Sequence, residues 1–437
     1  MKNYKEFESR RKIFSHQIGD GVAVLFNSSE MVRNRDSHYP FRSDSYFHYL
    51  SGFSESDAVI FILGGKTPKS ILFCKPKNKE KEIWNGLIYG PKDAAEIFLF
   101  DEAYPLDKIN EVALNVFANQ KKIYCIPGPN GLNDNRINQW VEQNKKNKRA
   151  GSRSLEMIID LTNMLDKMRV IKSNYELNLM KRSASIAAKA HIFAMRKTKP
   201  GKYEYQIEGE ILNQFMQNGS HDTAYQSIVA SGGNACTLHY VENNSLLKDG
   251  DLLLIDAGCE FEGYASDITR TYPVNGKFSS AQRDLYQIVL DAQKGAIESI
   301  CSGKLFDDPH KVAVRKIIDG LMDLKICSGS YDEILETGAY KNFFMHRTSH
   351  WLGLDVHDAG DYVDEQSNPT FLVSGNVLTV EPGCYIQPSS KVPKDFWGMG
   401  IRIEDDVCVT KDGCVILSYD APKEINHLEE VVGTLHD

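Results

Sequence analysis

The sequence has no long apolar run, no excess of positive charge and no apolar segment at its start. No stretch approaches the roughly 18 apolar residues of a membrane span, so we expect no membrane partner. The net charge is −8, whereas a nucleic-acid-binding protein presents a basic face, so we expect no nucleic-acid partner either. The start, MKNYKEFESRRKIF, lacks the apolar core of a signal peptide. These features predict a cytoplasmic protein.

Paired cysteines are also missing. The nine Cys are odd in number, and no two of them have CxxC spacing. A disulfide framework and a thiolate metal site both depend on such pairing. Reduced, mostly buried thiols in a cytoplasmic protein are the better interpretation.

The chain is long and has the composition of an ordinary globular protein. A chain of 437 residues is too long for a single hydrophobic core, so we expect two or three domains. Apolar residues make up 42% and charged residues 25% of the chain, which is typical of a folded protein. The one basic run, residues 143–153, is interpreted as a solvated loop or helix end.

Two capping boxes mark the starts of long helices. Ser173 with Glu176 has the S-x-x-E spacing, and Ser279 with Gln282 has the related S-x-x-Q spacing. The first helix follows a boundary that we place in a linker at 164–172. We therefore predict an N-terminal domain at 1–170 and a second domain at 171–437.

The N-terminal domain alternates short β-rich runs with polar helical stretches, as α/β domains with a mixed sheet do. It contains no catalytic constellation. Its candidate strands are Val22–Phe26, Ala58–Leu63, Ser70–Cys74 and Lys122–Ile126.

Four segments of the second domain supply side chains that suit a pair of metal ions. The segments are LLLIDAGCEFEGYASDITRT, FFMHRTSHWLGLDVHD, VLTVEPG and GIRIEDD, and the candidate ligands are Asp256, Asp267, His350, Glu381 and Glu404. Four carboxylates balance the charge of two divalent cations. Oxygen-rich ligation with one imidazole suits Mn²⁺, Co²⁺ or Fe²⁺ better than a structural zinc. Hydrolases use such metal pairs to hold an attacking water.

The two aspartates lie on either side of a predicted hairpin with Gly263 near its tip. If positions 260 and 263 flank the turn, Asp256 lies opposite Asp267. Opposed side chains have Cβ atoms about 5 Å apart, close enough to share a metal pair. Two buried carboxylates would repel each other without cations. The alternative is a solvated hairpin edge, but the LLLID run favours a buried one.

The histidines of the second segment have the spacing of a zinc-protease helix. His346 and His350 are separated by four residues, and on a helix the two side chains would share a face. Arg347 occupies the position at which the HExxH signature requires glutamate, so that signature is rejected.

The last two segments end apolar runs with an acidic residue. Glu381 ends NVLTV and precedes Pro382-Gly383, which turns the chain. Arg402 and Glu404 share one face of a strand, since side chains alternate along it. Charged side chains within so apolar a stretch need partners, and we expect a metal for Glu404 and nearby carboxylates for Arg402.

Together these segments, with SGGNACTLHY, closely resemble the pita-bread metallopeptidases, and above all the aminopeptidase P (Xaa-Pro aminopeptidase) family. The N-terminal third resembles that family only loosely, through YPFRSDSYFHYLSGF. The resemblance implies an α/β N-terminal domain followed by an α+β pita-bread catalytic domain.

The resemblance also implies roles for individual residues. The five acidic and histidine side chains named above bind two metal ions, expected to be Mn²⁺, and Glu381 additionally transfers a proton. The catalytic set is Glu381, His357 and His239. The residues expected to contact substrate are Tyr225, His239, His346, His357 and Arg402.

The expected activity is removal of an N-terminal residue that precedes proline, by a homodimer or homotetramer acting on peptides. Three alternatives remain open. A prolidase, which cuts only Xaa-Pro dipeptides, has the same ligands. A methionine aminopeptidase typically lacks a large N-terminal domain. A metal-free pita-bread binding module would have lost ligands, whereas all five are present here.

Overall fold

The computed structural model describes residues 3–118, 120–128, 132–146, 155–389 and 391–435. The chain divides into two compact units, Met1–Met168 and Arg169–Asp437. The division falls inside the predicted linker. None of the helices in the described part of the chain combines the length and the hydropathy that a membrane span requires.

The first unit is built on one mixed sheet. Strand β1 pairs antiparallel with β4 and parallel with β7, in a sheet of order β6-β5-β4-β1-β7-β8. All four predicted strands are present, with bounds shifted by a residue. The strands are β1 Gly21–Phe26, β2 Val32–Asn34, β3 Ser37–His38, β4 Val59–Leu63, β5 Lys69–Cys74, β6 Glu102–Pro105, β7 Lys122–Cys125 and β8 Met157–Asp160.

Helices accompany this sheet, and its inward side chains form a core with Phe61, Phe73 and Trp140. The basic run begins in the last turn of α6, as expected of a helix end, and its residues 147–153 lie outside the described residues. The helices are α1 Tyr4–Gln17, α2 Ser45–Ser51, α3 Lys79–Asn85, α4 Gly90–Phe98, α5 Ile109–Phe117, α6 Leu132–Lys146 and α7 Thr162–Arg169.

The second unit contains long helices and several small antiparallel sheets. Both predicted capping boxes are confirmed: Ser173 and Glu176 bond reciprocally at the start of α8, and Ser279 and Gln282 do so at the start of α10. The helices are α8 Asn174–Lys197, α9 Glu204–Gln217, α10 Ser280–Glu298, α11 Asp308–Asp323, α12 Tyr331–Thr337 and α13 Ile425–Val431.

The sheets of this unit are β10-β11-β14, β13-β12-β9, β15-β18-β19 and the pair β16-β17. Most of their buried side chains join the helices in a large hydrophobic core, and a smaller cluster consists of Ile228, Ala230, Ala235, Leu254 and Tyr385. The strands are β9 Asp222–Thr223, β10 Ile228–Ser231, β11 Leu252–Asp256, β12 Cys259–Phe261, β13 Tyr264–Ala265, β14 Thr269–Pro273, β15 Val377–Val380, β16 Gly383–Ile386, β17 Met399–Arg402, β18 Asp405–Val409 and β19 Cys414–Ile416.

The hairpin that carries the two aspartates is present, but its predicted register is wrong. Its turn is Glu262-Gly263, with φ of 52° and 88°, as a two-residue type I′ turn requires. Asp256 therefore pairs with Thr269 rather than with Asp267. A register shift of two residues keeps both carboxylates on the same face, because side chains alternate with a period of two.

Candidate metal centre

One cavity of about 850 Å³ in the second unit gathers all the predicted site residues. Its lining includes Tyr225, His239, Asp256, Asp267, His346, His350, His357, Glu381, Arg402 and Glu404. Apolar side chains, among them Ile228, Leu238 and Val356, line the same cavity. Residues as far apart along the chain as Tyr225 and Glu404 thus meet in one place.

The acidic residues reach the cavity because each lies at a strand end. Asp256 is the last residue of β11, and Asp267 comes two residues before β14. Glu381 follows β15, and Glu404 lies between β17 and β18. A strand holds the backbone rigidly while its end leaves room for the side chain, so these carboxylates are fixed in position.

Three of the predicted ligands form a close cluster. Asp267, His350 and Glu404 each offer a ligand atom, and these atoms all lie within 4.8 Å of one another. His350 Nε2 is 3.4 Å from Asp267 Oδ2 and 3.7 Å from Glu381 Oε1. Its Nδ1 donates to the Trp351 carbonyl at 2.9 Å. That bond directs Nε2 towards the carboxylates, as a partner on the other ring nitrogen does for metal-binding histidines.

His346 and His350 do not share a helical face. The segment from Phe344 to His350 is not helical, because it runs as an extended loop between a short 3₁₀ turn and Trp351. Both rings still reach the cavity.

Tyr225 and Arg402 connect the aspartates to the rest of the site. The Tyr225 hydroxyl lies 2.5 Å from Asp256 Oδ1 and 2.5 Å from Asp267 Oδ1. Arg402 Nη2 donates to Asp256 Oδ2 at 2.7 Å. The expected pairing of Arg402 with a nearby carboxylate is therefore confirmed.

Thr269 and Tyr385 are polar neighbours of the site that the sequence did not reveal. The Thr269 hydroxyl donates to Glu404 Oε2 at 2.7 Å and accepts from Arg402 Nε at 3.1 Å. Tyr385 Oη accepts from Arg402 Nη1 at 2.9 Å and donates to His346 Nε2 at 2.8 Å. Their only sequence signal is position: Thr269 lies two residues after Asp267, and Tyr385 lies two after Gly383 in the strand that follows Glu381.

His346 is neutral and fully engaged by the protein. Its Nδ1 donates to the Arg347 carbonyl at 2.8 Å, while Nε2 accepts from Tyr385. Burial, reinforced by the charge of Arg402, lowers the pKa of His346 to about 3. The ring also lines the cavity itself, with Nδ1 3.6 Å from Glu381 Oε2.

The electrostatics of the cavity call for cations. Burial raises the pKa of Asp267 and of Glu404, and their neighbouring carboxylates raise it further. Burial also raises the pKa of Glu381, to about 7. For His350, burial alone would lower the pKa, but Asp267 and Glu381 raise it to about 9. Such mutual repulsion between buried carboxylates is relieved by divalent cations, so the donor set fits a metal centre.

His357 and His239 lie at the edge of this donor set. The His357 ring packs edge-on against His350, with centroids 4.4 Å apart and planes at 78°. Burial and the charge of His350 lower the pKa of His357. His357 and His239 both line the cavity, and an N–H of each ring can donate a hydrogen bond there.

Family models match both units. Residues 178–411 match the model described as metallopeptidase family M24, and residues 7–124 match the aminopeptidase P N-terminal domain. The fold and the carboxylate-rich centre thus define a metal-dependent peptidase of the pita-bread class.

Relatives of known name match over nearly the whole chain. Xaa-Pro aminopeptidase of Haemophilus influenzae is 41% identical over 98% of this chain and 97% of its own length, and that of Escherichia coli is 39% identical over 98% and 97%. The solved structure of Pseudomonas aeruginosa aminopeptidase PepP, 39% identical, has a TM-score of 0.96 and covers 98% of both chains. The chain belongs to the aminopeptidase P branch of metallopeptidase family M24. Divalent metal ions are implied by that membership.

A further solved structure concerns the metal directly. Zinc-substituted E. coli aminopeptidase P in complex with product is 38% identical, with a TM-score of 0.95 and 98% coverage of both chains. The zinc ion is a feature of the E. coli structure alone.

Proposed function

We propose that this chain removes the N-terminal residue from peptides whose second residue is proline. The observation that carries the proposal is the cluster of Asp267, His350 and Glu404 within 4.8 Å, inside a cavity that also holds Asp256 and Glu381. The relatives that match the whole chain are Xaa-Pro aminopeptidases.

These five residues would hold two divalent metal ions, and Mn²⁺ is the ion we propose. Four carboxylates and a single imidazole favour such hard or borderline cations over thiolate-seeking ones. When bound, the two ions supply an activated water and polarise the scissile carbonyl.

Glu381 is proposed to move the proton. Its carboxylate lies in the cavity, with Oε1 3.7 Å from His350 Nε2, where a carboxylate can accept a proton and release it again. The carboxylate takes the proton of the attacking water and delivers it to the departing proline nitrogen. That nitrogen needs a proton because it leaves as an amine.

His357 and His239 are proposed to donate hydrogen bonds to the scissile carbonyl as its oxygen gains charge. Donors fixed in a water-poor cavity stabilise such an oxygen strongly. Arg402 and Tyr225 are proposed to fix the substrate backbone. Asp256 and Tyr385 hold Arg402 in place. His346 is proposed to contact the substrate as well, and its ring also holds the Tyr385 hydroxyl.

The apolar part of the cavity suits a proline ring. A proline nitrogen has no N–H, so a site that demands a donor there would reject it. Leu238, Val356 and Tyr362 line the cavity beside the polar cluster. A free α-amino group would meet the acidic cluster, which restricts cleavage to the chain end.

The test is a cleavage panel with added Mn²⁺. Xaa-Pro-Yaa peptides with free amino termini should be cut, whereas acetylated ones should not. The Glu381→Gln variant should be inactive on the same peptides, which excludes a contaminating peptidase. Faster cleavage of Xaa-Pro dipeptides than of any longer peptide would instead make the chain a prolidase, and cleavage of Met-Ala peptides alone would make it a methionine aminopeptidase.

We also propose that the protein is a cytoplasmic homodimer or homotetramer. The buried thiols of Cys74, Cys259 and Cys384 are not in disulfides, as expected of a reducing compartment. In α3 and just after it, Trp84 and Leu87 are 86% and 67% exposed, and exposed apolar groups of this kind favour association. Sedimentation analysis of the intact chain and of a Trp84→Glu variant tests this, because a monomeric intact chain contradicts it.

A further inference from the structure

The loop that carries His357 has no regular secondary structure to hold it. Residues 352–361 form bends between the bridge at Trp351 and the next bridged residue, Val363. The His357 ring nevertheless lies against His350 with a defined edge-on geometry. Something other than a helix or a sheet ladder must therefore fix this loop.

The next residue, Asp358, is anchored by two buried cations. Asp358 Oδ1 accepts from Arg169 Nη2 at 2.6 Å, and Oδ2 accepts from Lys172 Nζ at 2.8 Å. All three side chains are at most 2% exposed. Burial alone would raise the pKa of Asp358, but Lys172 and Arg169 lower it. Charges this deeply buried are maintained only when they are paired.

The loop backbone is shaped around this carboxylate. Asp358 Oδ1 also accepts from the Asp355 N–H at 3.2 Å, and the Asp358 N–H donates to the Trp351 carbonyl at 3.0 Å. A Cβ at Gly353 would lie 2.2 Å from Asp358 Oδ2, so only glycine admits the carboxylate there. Both sides of His357 are thus tied to Asp358.

The cations in turn are fixed to the segment that leads to Glu381. The Lys172 N–H donates to the Gly375 carbonyl at 2.8 Å, and Asn376 Nδ2 donates to the Val170 carbonyl at 2.9 Å. Gly375 and Asn376 precede β15, whose end presents Glu381. The same short segment, residues 169–172, therefore braces two separate parts of the cavity wall.

We propose that Asp358, held by Arg169 and Lys172, is a positioning residue that sets the His357 ring for the reaction. The inference rests on the proposed function, which gives His357 its role as hydrogen-bond donor. None of the three residues lines the cavity, so they act on the reaction only through the residues that they hold in place.

The first experiment replaces Lys172 with Met, which keeps the length of the side chain and leaves the Arg169–Asp358 pair. We expect kcat to fall about 10- to 100-fold, the range typical of losing an outer-shell partner at a metal centre, with KM and bound metal unchanged. Lys294→Met removes an exposed ion pair with Glu424 and should keep full activity. Unchanged kcat in Lys172→Met would overturn the proposal.

The second experiment repeats the substitution in a His357→Ala background. If Lys172 acts through His357, the double variant should be no slower than His357→Ala alone. The Lys172→Met substitution should lower the thermal stability in both backgrounds. If Lys172→Met lowers kcat by the same factor in the His357→Ala background as in the wild type, the network has only a structural role and the proposal is overturned. If Lys172→Met does not fold, Asp358→Asn, which keeps the side-chain shape, takes its place in the same comparison.

The two experiments separate this inference from the proposed function. If the wild-type chain cuts no Xaa-Pro-Yaa peptide, or if His357→Ala retains full activity, the proposed role of His357 has failed. If His357→Ala is slow and Lys172→Met is not, only the positioning role has failed.

Discussion

At the scale of single residues, the hydrogen bond at one ring nitrogen distinguishes His350, the proposed metal ligand, from the neighbouring His357. His350 donates its Nδ1 proton to a backbone carbonyl, so Nε2 faces Asp267 and Glu381. His357 packs against that ring from outside the acidic cluster. The two histidines should therefore respond differently when each is removed.

We expect His350→Ala to lose bound metal together with turnover, since it removes a ligand from the cluster. His357→Ala should keep its metal and lose turnover about 10²- to 10³-fold, the usual effect of one missing donor to a developing oxyanion. Metal content by mass spectrometry, measured beside kcat, distinguishes the two. Metal loss in His357→Ala with retention in His350→Ala would show that the two roles are reversed.

The residues that sequence alone could identify are those with distinctive chemistry. Carboxylates at the ends of apolar runs and clustered histidines stand out, and all ten predicted residues line one cavity. Thr269, Tyr385 and Asp358 could not be found in this way. Their importance comes from hydrogen bonds to residues far along the chain, and threonine, tyrosine and aspartate are common at unremarkable positions.

At the scale of the element, the Glu262-Gly263 turn determines where the two aspartates lie. A type I′ turn requires positive φ at both central residues, and Gly263 has φ of 88°. The sequence indicated a hairpin and its glycine, but a turn can be placed one residue either way. That ambiguity produced the error of two residues in the predicted pairing.

Gly263→Ala should lower the free energy of unfolding by about 1–2 kcal/mol, the cost of a left-handed conformation for a residue with a Cβ. Urea unfolding measures the change. Gly209→Ala in α9 is the matched control, because a Cβ there meets open space, and it should stabilise the helix by about 0.5–1 kcal/mol. Equal stability of Gly263→Ala and wild type would show that the turn tolerates a side chain.

A second element-scale feature is the buried ion network behind β18. Arg270 Nη2 donates to Asp405 Oδ1 at 2.7 Å, and Lys423 Nζ donates to Oδ2 at 2.6 Å. Gln293 of α10 and Ser418 also donate to this carboxylate. The network joins β14, β18, α10 and the C-terminal segment immediately beside Glu404.

This network predicts acid sensitivity. Burial alone would raise the pKa of Asp405, but Arg270 and Lys423 lower it to about 2. Because the folded-state pKa lies below the unfolded one, the unfolded chain binds more protons in acid. The ion pairs of Asp405 therefore stabilise the folded state fully above about pH 4. As the pH falls towards 2 this stabilisation is lost, which lowers the free energy of unfolding by about 2 kcal/mol.

Urea titrations of the metal-free protein at pH 5, 4 and 3 measure this loss. Asp405→Asn should be about 3–5 kcal/mol less stable at neutral pH, since it leaves buried cations unpaired, and should show a shallower decline in acid. The same decline in Asp405→Asn and wild type would assign the acid sensitivity to other carboxylates.

At the scale of the whole molecule, the sequence predicted the fold class more readily than the register in which the strands pair. Alternating β and helical runs indicated the mixed sheet of the first unit, and capping boxes indicated the long helices of the second. The small sheets of the second unit were not predicted strand by strand. Strands such as β9 and β13, of two residues each, are too short to give a periodic signal.

Metal removal should affect the second unit as a whole. Without cations, Asp267, Glu381 and Glu404 repel one another, and bound ions stabilise a native state by about 2.7 kcal/mol at a hundred times their dissociation constant. We expect a chelator to abolish peptide cleavage and lower the unfolding temperature, and added Mn²⁺ to restore both. Full activity in protein shown to be free of metal would contradict the proposed chemistry.

The cavity volume has a consequence for intact proteins that begin with an Xaa-Pro pair. About 850 Å³ is the size of a small-ligand pocket and admits only a few extended residues. A folded protein is trimmed only when its first residues detach from its surface, and the free energy of such fraying varies widely among proteins. Trimming rates across a proteome should therefore rank proteins by how loosely their beginnings are tethered, more than by which residue precedes the proline.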